Sequence, residues 1–268
     1  MKLQPRNIIL GIPQTRKKKR LAEVILNYKI PIAELRPKYL EKILKTILET
    51  GADILTANRF SAGGIAYMTL FVDLDKTEIS AEEIEKRLKN LEFISEVSVF
   101  EPKPLLFDVA HFPLTNGVER VCVISTAALA RMHEEMIRIL GSGAFTILWY
   151  IGLEKGKNLV KLIKNLASEN KLNKKEMLAA FKQLYQAGGW GIIEYVDVNL
   201  RQGTGKIRIY NSIAESVTKR YDRPICYYTK GHLTALLQEI FEHKSIHIEE
   251  VKCMAIGDKF CEFEFSAD

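Results

Sequence analysis

Three cysteines near the carboxy terminus have the residue types and spacing best suited to chemistry. Cys253 and Cys261 flank a seven-residue segment that contains Gly257-Asp258, and Cys226 lies upstream. Gly-Asp between two apolar stretches favours a turn, so we expect a β-hairpin that brings Cys253 and Cys261 close together. Two thiolates on a hairpin, a third cysteine and a nearby carboxylate are enough for a closed, four-ligand zinc site.

The carboxylate is less easily assigned, because Glu249 and Glu250 both stand just before Cys253. Glu250 and Cys253 are three residues apart, so on a regular strand their side chains point to opposite faces. Both can bind one ion only if a bulge or the end of the strand intervenes. Otherwise Glu249, His247 or a water would be the fourth ligand. The alternative for the cysteines is core packing, in which a thiol acts as a small apolar group.

The composition is that of an ordinary globular protein, with 268 residues, 47% hydrophobic and 27% charged. This length suits one large domain or two of moderate size. No apolar run approaches the roughly twenty residues of a membrane helix, and the amino terminus lacks the apolar stretch of a secretory signal. We therefore expect a cytoplasmic protein with no membrane insertion. Clustered thiols in such a reducing compartment more often bind metal than form disulfides.

The net charge of +6 is concentrated at the amino terminus. Residues 1–50 contain twelve Lys or Arg and four Glu, and the segment 16–20 is the most basic part. Such a run could contact nucleic acid or an anionic membrane. No aromatic residues are interleaved with these charges, which favours a solvated basic arm.

Residues 1–106 have the element order β-α-β-β-α-β, which is typical of a ferredoxin-like fold. The pattern predicts strands at 21–28, 52–60, 65–74 and 97–100, and helices at 37–49 and after a capping box formed by Ser80 and Glu83. This order resembles the ACT regulatory domains, which bind small metabolites. The loop 29–36 lacks the glycine common in ACT amino-acid sites, so we do not expect amino-acid binding there.

Residues 107–268 form a second domain, also of mixed α/β type. The pattern predicts a short strand at 121–124, a helix at 126–140 and a long apolar helix from about Phe145. It then predicts a helix at 174–186 capped by Asn173, strands at 191–200 and 205–210, a short helix at 212–219 and a helix at 232–242. The closing hairpin would pair 246–256 with 260–265.

This second domain resembles the vinyl-4-reductase domain family. The resemblance rests on Gly189-Trp190-Gly191 with Glu194, Tyr210-Asn211-Ser212, Gly231-His232-Leu233, and the final Glu250-Val251-Lys252-Cys253, Gly257-Asp258 and Cys261-Glu262-Phe263. The whole chain resembles archaeal members that carry an ACT-like domain in front.

The resemblance implies a fold similar to subunits of a transport-particle tethering complex, and a small-molecule or hydrocarbon-binding module that is often dimeric. Phenol-responsive members hold a structural Zn²⁺ with three cysteines and one glutamate. Those ligands correspond to Cys226, Glu250, Cys253 and Cys261 in this sequence. A closed site of this kind is structural, because a catalytic site keeps one position open.

Four large aromatic residues of the predicted domain interior are candidates for a ligand pocket: Phe145, Trp149, Trp190 and Tyr195. The alternative is that each belongs to an ordinary core. We expect a homodimer that binds a small apolar or aromatic ligand, with the ACT-like domain coupling binding to assembly or to a partner.

Two other functions are alternatives. The family name suggests an enzyme that reduces the vinyl group of a tetrapyrrole-like substrate, but the sequence contains no dinucleotide fingerprint and no Gly-x-Ser-x-Gly motif. The helix from Lys174 and the two strands around Gly203 also resemble a winged helix. With the basic arm, this makes a nucleic-acid-associated regulator possible but not favoured.

Overall fold

The protein is described by a computed structural model that covers residues 11–12, 20–29, 38–62, 64–101, 106–107, 114–116, 119–167, 171–218, 220–242 and 245–267. Most of the basic arm and the loop 30–36 therefore lie outside the described residues. The chain divides into two compact units, Met1–Pro113 and Leu114–Asp268. The predicted assignment of 1–106 and 107–268 to separate functional domains stays a prediction.

The described part of the first unit contains two helices and six strands. In chain order these are β1 Gly11–Ile12, β2 Leu21–Lys29, α1 Lys38–Leu48, β3 Asp53–Ala62, β4 Ile65–Asp73, α2 Ala81–Lys89, β5 Ile94–Phe100 and β6 Leu106–Phe107. The main sheet has the order β3-β4-β2-β5 with antiparallel neighbours, and β1 pairs with β6. This is the predicted ferredoxin-like arrangement.

Side-chain alternation on β2 explains how the first unit packs. Ala22, Val24, Leu26 and Tyr28 point to one face and are buried together with apolar residues of α1 and α2. The Ser80 hydroxyl caps α2 by accepting a hydrogen bond from the backbone N–H of Glu83 over 3.3 Å. The cap satisfies one of the free N–H groups of the first turn and fixes where α2 begins.

The second unit contains four helices, four strands and two short 3-10 helices within the described residues. The helices are α3 Thr126–Leu140, α4 Gly143–Ala167, α5 Lys174–Ala187 and α6 Tyr227–Phe241. The strands are β7 Ile192–Asn199, β8 Thr204–Tyr210, β9 Ile246–Lys252 and β10 Cys261–Ala267. They form one antiparallel sheet in the order β7-β8-β10-β9. The 3-10 helices are Ile213–Ser216 and Met254–Ile256.

Helices α4 and α6 touch through their backbones, and two glycines make this possible. A Cβ added to Gly152 would overlap the carbonyl group of Tyr228, and one added to Gly231 would overlap the carbonyl oxygen of Trp149. Any larger residue at either position would force the helices apart. The side chains of both helices then pack over the sheet around Phe181, Leu236 and Phe263.

One predicted element of the second unit was wrong, and another begins at a different residue. Residues 121–124 are not a strand, and Val123 and Ile124 are 50% and 46% exposed. β-branched residues form a strand only where a partner strand and a packing surface exist, and none pairs with them among the described residues. Helix α6 begins at Tyr227 rather than His232, because the extra turn packs Tyr227 on Phe145 with ring centroids 4.4 Å apart.

The predicted fold class is confirmed: the chain is mixed α/β, with an antiparallel sheet in each unit. Within the described residues, no helix combines the length and the apolarity that are needed to cross a bilayer.

Candidate metal centre

The closing hairpin brings Cys253 and Cys261 together as predicted. Cys253 follows the last residue of β9, and Cys261 is the first residue of β10. Between them, the 3-10 helix ends at Gly257, whose φ of 106° lies in the left-handed region that favours glycine. The Asp258 carboxylate then accepts a hydrogen bond from the backbone N–H of Cys253 over 2.8 Å. These two features close the turn.

The third cysteine comes from a different part of the unit. Cys226 directly precedes α6, and its Sγ lies 3.5 Å from Sγ of Cys253 and 3.6 Å from Sγ of Cys261. Thiolates bound tetrahedrally to one zinc, each with a Zn–S bond of roughly 2.3 Å, lie about 3.8 Å apart. The sulfur atoms are therefore near the spacing that a zinc ion would require.

Glu250 completes the cluster because β9 contains a bulge. Phe263 of β10 is opposite Glu250, but the preceding residue, Glu262, is opposite Lys252, so Val251 has no counterpart. The bulge removes the strict alternation that would separate the carboxylate from Cys253. One ligand atom from each of Cys226, Glu250, Cys253 and Cys261 lies within 4.8 Å of all the others, and we call these four residues the metal cluster.

The two alternatives to Glu250 lie outside this cluster. Glu249 and His247 are both exposed on β9. By contrast, Oε2 of Glu250 accepts a hydrogen bond from the backbone N–H of Cys226 over 2.9 Å. Its Oε1 is buried and has no hydrogen-bond partner among the described residues. An inward carboxylate oxygen without a partner has the placement expected of a metal ligand.

The protonation states of the cluster reflect the crowding of acidic groups in a small buried space. Burial raises the pKa of Glu250 to about 9. Hydrogen bonds with the thiols of Cys253 and Cys261 raise the pKa of Cys226. Hydrogen bonds from Cys226 and Cys253 instead lower the pKa of Cys261 to about 5. The four groups therefore cannot all ionise together unless a cation compensates their charge.

Neutral donors, rather than lysines, surround the metal cluster. Of the two nearest lysines in the sequence, Lys259 is exposed and Lys252 pairs with Glu262 over 3.5 Å. Cys261 Sγ lies 3.4 Å from the backbone N–H of Met254 and 3.3 Å from the Ser212 hydroxyl. Such donors stabilise ligand thiolates without competing for the metal.

The four aromatic candidates for a ligand pocket make separate contacts in the second unit. Phe145 stacks on Tyr227, and Nε1 of Trp149 donates to the Thr234 hydroxyl over 3.3 Å. The Tyr195 hydroxyl donates to the Leu178 carbonyl over 2.9 Å. Trp190 lies apart from these three interactions, in a group with Tyr185, Tyr228 and His232. Their role as ligand-binding residues stays a prediction.

Sequence reasoning assigned no role to His232, Tyr185 or Tyr228. His232 is fully buried in α6, and its ring centroid lies 4.5 Å from that of Tyr228 and 5.4 Å from that of Trp190. The available signal was a histidine on the apolar face of an otherwise buried helix. That signal becomes visible only once α6 is known to begin at Tyr227 and not at His232.

Comparisons with known proteins agree with this geometry. Residues 206–267 match the family model of the vinyl-4-reductase domain, a segment that includes all four residues of the metal cluster. An uncharacterised protein of Methanocaldococcus jannaschii is 33% identical over 118 residues, which cover 44% of this chain and 62% of that protein. The chain thus spans about three fifths of the length of this curated relative.

Solved structures with similar folds include the phenol-responsive sensory domain of the transcription activator PoxR with phenol. It is 22% identical with a TM-score of 0.49, over 56% of this chain and 78% of that one. A vinyl-4-reductase family protein of M. jannaschii is 22% identical with a TM-score of 0.35, over 53% and 92%. A trafficking protein particle complex subunit 3 from Naegleria fowleri, covalently bound to palmitic acid, is 13% identical with a TM-score of 0.39, over 53% and 95%.

The family match and the geometry concern the same stretch of chain, from β8 through α6 to the closing hairpin. The resemblance expected from the cysteine, glycine and aromatic motifs is therefore confirmed for residues 206–267, which match the family model of the vinyl-4-reductase domain.

Proposed function

We propose that the second unit is a small-molecule-binding module whose closing hairpin is held by a structural zinc ion. The observation that carries the zinc proposal is the metal cluster, in which three buried thiols and one inward carboxylate converge. Four protein ligands would leave no position open for substrate, which favours a structural role over a catalytic one. The ion would join the start of α6 to both strands of the hairpin.

The experiment is native mass spectrometry, with elemental analysis, of protein purified without added metal. We expect one zinc per chain, lost in Cys253→Ser. The matched control is Cys122→Ser, because Cys122 is a free cysteine that is exposed and outside the metal cluster. Zinc-free wild-type protein, or equal zinc in the two variants, would overturn the proposal.

The ligand-binding part of the proposal rests on the aromatic interior of the second unit. Trp190, Tyr185 and Tyr228 form one group of rings around a buried histidine, and aromatic walls with few polar groups are typical of small-molecule sites. The ligand would be small and apolar or aromatic. The first unit would couple its binding to assembly or to a partner.

A thermal-shift screen with a broad library of apolar and aromatic compounds tests ligand binding. A ligand that binds the folded state raises Tm in proportion to the logarithm of its concentration once the site is saturated. We expect at least one compound to produce a concentration-dependent rise. The absence of any shift from zinc-loaded protein across the library would contradict the proposal.

A homodimer is the assembly that we propose, formed through the apolar faces of α3 and α4. Ile147, Tyr150 and Ile151 share one face of α4 and are 43%, 58% and 48% exposed. On α3, Met132 and Ile139 are two turns apart and are also exposed. Exposed apolar residues grouped in this way are typical of protein interfaces.

Light scattering coupled to size-exclusion chromatography measures the assembly state. We expect Tyr150→Lys to convert a dimer into a monomer, because it would bury a charge in the proposed interface. Leu166→Lys, near the other end of α4 and 61% exposed, is the control and should leave the mass unchanged. A monomeric wild-type protein would contradict this assembly.

A further inference from the structure

Glu134 is a buried acidic residue on the inner face of α3. It is 8% exposed and shares this face with Ala130, one turn earlier, whereas the neighbouring Glu135 is exposed. A carboxylate that is removed from water needs hydrogen-bond donors from the protein. The donors therefore indicate which part of the chain holds α3 in place.

These donors belong to Thr218. Its backbone N–H donates to Oε1 of Glu134 over 2.9 Å, and its hydroxyl lies 3.0 Å from Oε1 and 2.9 Å from Oε2. Hydrogen bonds to an ionised group are stronger than those between neutral groups. Two residues earlier, the Ser216 hydroxyl donates to Oγ1 of Thr126 over 3.4 Å. Helix α3 is thus bonded at two positions to one short stretch of chain.

That stretch runs from Ser212 to Tyr221, and we call it the bridge segment; residue 219 lies outside the described residues. At its start, the Ser212 hydroxyl is 3.3 Å from Sγ of Cys261. At its end, the backbone N–H of Tyr221 donates over 3.1 Å to the carbonyl of Ala255, a buried residue in the turn of the closing hairpin. Both ends of the bridge segment therefore contact the hairpin that contributes to the metal cluster.

The outer face of α3 carries part of the proposed dimer interface. Met132 and Ile139 are 53% and 66% exposed. With 3.6 residues per turn, they lie on the side of the helix opposite Ala130 and Glu134. The helix therefore has the bridge segment on one side and the proposed interface on the other.

An ion in the metal cluster would fix the closing hairpin relative to the start of α6, because the four ligands come from both. Removing the ion would release this constraint from the turn to which the bridge segment is bonded. The bridge segment would then hold Glu134, and with it the outer face of α3, less firmly. A partner that binds an already ordered surface loses less conformational entropy.

We propose that the bridge segment couples zinc binding to assembly through α3, with Glu134 as the positioning residue. The zinc-loaded chain then dimerises more tightly than the zinc-free chain, and the dimer binds zinc more tightly than the monomer by the same factor. This inference rests on the proposed zinc site and homodimer, and it adds a regulation: zinc controls the assembly state through a surface outside the metal cluster.

Analytical ultracentrifugation of the full-length chain, with and without zinc, measures the dimer dissociation constant. We expect zinc to lower this constant about tenfold in wild type, an effect within the usual range of allosteric coupling. Glu134→Ala removes the acceptor for Thr218, and Thr218→Val removes only the hydroxyl donor of the same contact. Both variants should still bind zinc, but the zinc effect on the dimer should fall to about twofold or less. Glu135→Gln is the matched control, because it changes the exposed neighbour that pairs with Arg138 over 2.7 Å, and it should keep the tenfold effect.

The zinc effect, and not the dimer constant itself, separates coupling from a merely structural role. A substitution that only destabilises α3 would weaken the dimer equally with and without zinc. If Glu134→Ala fails to fold, Thr218→Val decides alone.

Equal dimer constants for zinc-loaded and zinc-free wild type would overturn the inference while leaving the zinc site and the homodimer intact. A zinc effect preserved at full size in the variants would overturn the role of Glu134 and the bridge segment. Wild-type protein that binds no zinc, or that stays monomeric, would contradict the proposed function itself and the inference with it.

Discussion

The backbone N–H of Cys226 donates to Oε2 of Glu250 over 2.9 Å, which joins the start of α6 to the bulged strand β9. This hydrogen bond uses one carboxylate oxygen and leaves the other, Oε1, buried and without a hydrogen-bond partner among the described residues. Glu250 therefore both links β9 to the start of α6 and belongs to the metal cluster, whereas Glu249 does neither.

Replacing Glu250 with Gln should weaken zinc binding, because the amide keeps the shape of the side chain but removes the negative charge. We expect the zinc dissociation constant to rise at least about tenfold, as is typical when a metal site loses a favourable group. Competition with a chromophoric chelator measures this change. Glu249→Gln alters an exposed carboxylate one residue away and should bind zinc like wild type; equal effects of the two substitutions would contradict the assignment of Glu250.

Zinc should protect three of the four cysteines from alkylation. Cys122 is exposed, whereas Cys226, Cys253 and Cys261 are buried and would be metal-bound. Iodoacetamide should therefore add one label to the zinc-loaded protein and further labels after treatment with a strong chelator, as counted by intact-mass spectrometry. Labelling that is insensitive to the chelator would indicate that burial, not metal, protects the thiols.

The buried histidine should make stability depend on pH. The pKa of His232 is lowered by burial to about 3, below the roughly 6.5 of an unfolded histidine, so the unfolded state binds more protons between these values. The contribution of the neutral His232 to the free energy of unfolding is fully present above pH 6.5 and is lost as the pH decreases towards 3. The loss attributable to His232 between pH 7 and pH 5.5 should be about 1 kcal/mol.

Urea denaturation at both pH values checks this expectation in wild type and His232→Phe. His232→Phe should lose less free energy of unfolding than wild type when the pH falls. Part of the pH dependence should remain, because burial also lowers the pKa of His133 to about 4. His247→Gln changes an exposed histidine and should behave as wild type. An identical pH dependence in wild type and His232→Phe would contradict a buried, neutral imidazole.

The contact between α4 and α6 should be intolerant of a single methyl group. Gly152→Ala would place Cβ against the Tyr228 carbonyl, and we expect a loss of about 2 kcal/mol or more of the free energy of unfolding. Gly143→Ala adds the same methyl group at the start of α4, where nothing lies within 4 Å of it. That control should be neutral or slightly stabilising by chemical denaturation, because Ala is the better helix former. Equal stability of the two variants would contradict the close packing.

Much of the fold could be predicted because local signals agreed with the tertiary structure. The alternation on β2, the cap at Ser80 and the turn at Gly257 each specify an element without reference to distant residues. Asn173 also specifies an element locally, because its side chain and that of Glu176 form a complete capping box at the start of α5. The convergence of Cys253 and Cys261 followed from the hairpin alone.

The parts that could not be predicted depend on contacts between distant residues. The start of α6 is set by packing of Tyr227 on Phe145, and the strand expected at 121–124 lacks a partner among the described residues. The three-residue spacing of Glu250 and Cys253 required a bulge or a strand end between them if both were to face one ion. The position of the bulge at Val251, however, is set by the register of β9 with β10. The surroundings of His232 appear only when α4, α5 and α6 are assembled.

The position of Cys226 directly before α6 has a thermodynamic consequence. His232 lies in the second turn of the same helix, so a metal that immobilises Cys226 also reduces the freedom of the helix that carries the imidazole. Under the proposed function, the metal and the organic ligand are then linked effectors: each would tighten the binding of the other by the same factor. A cell that changes its available zinc would thereby change the concentration of ligand at which this protein responds.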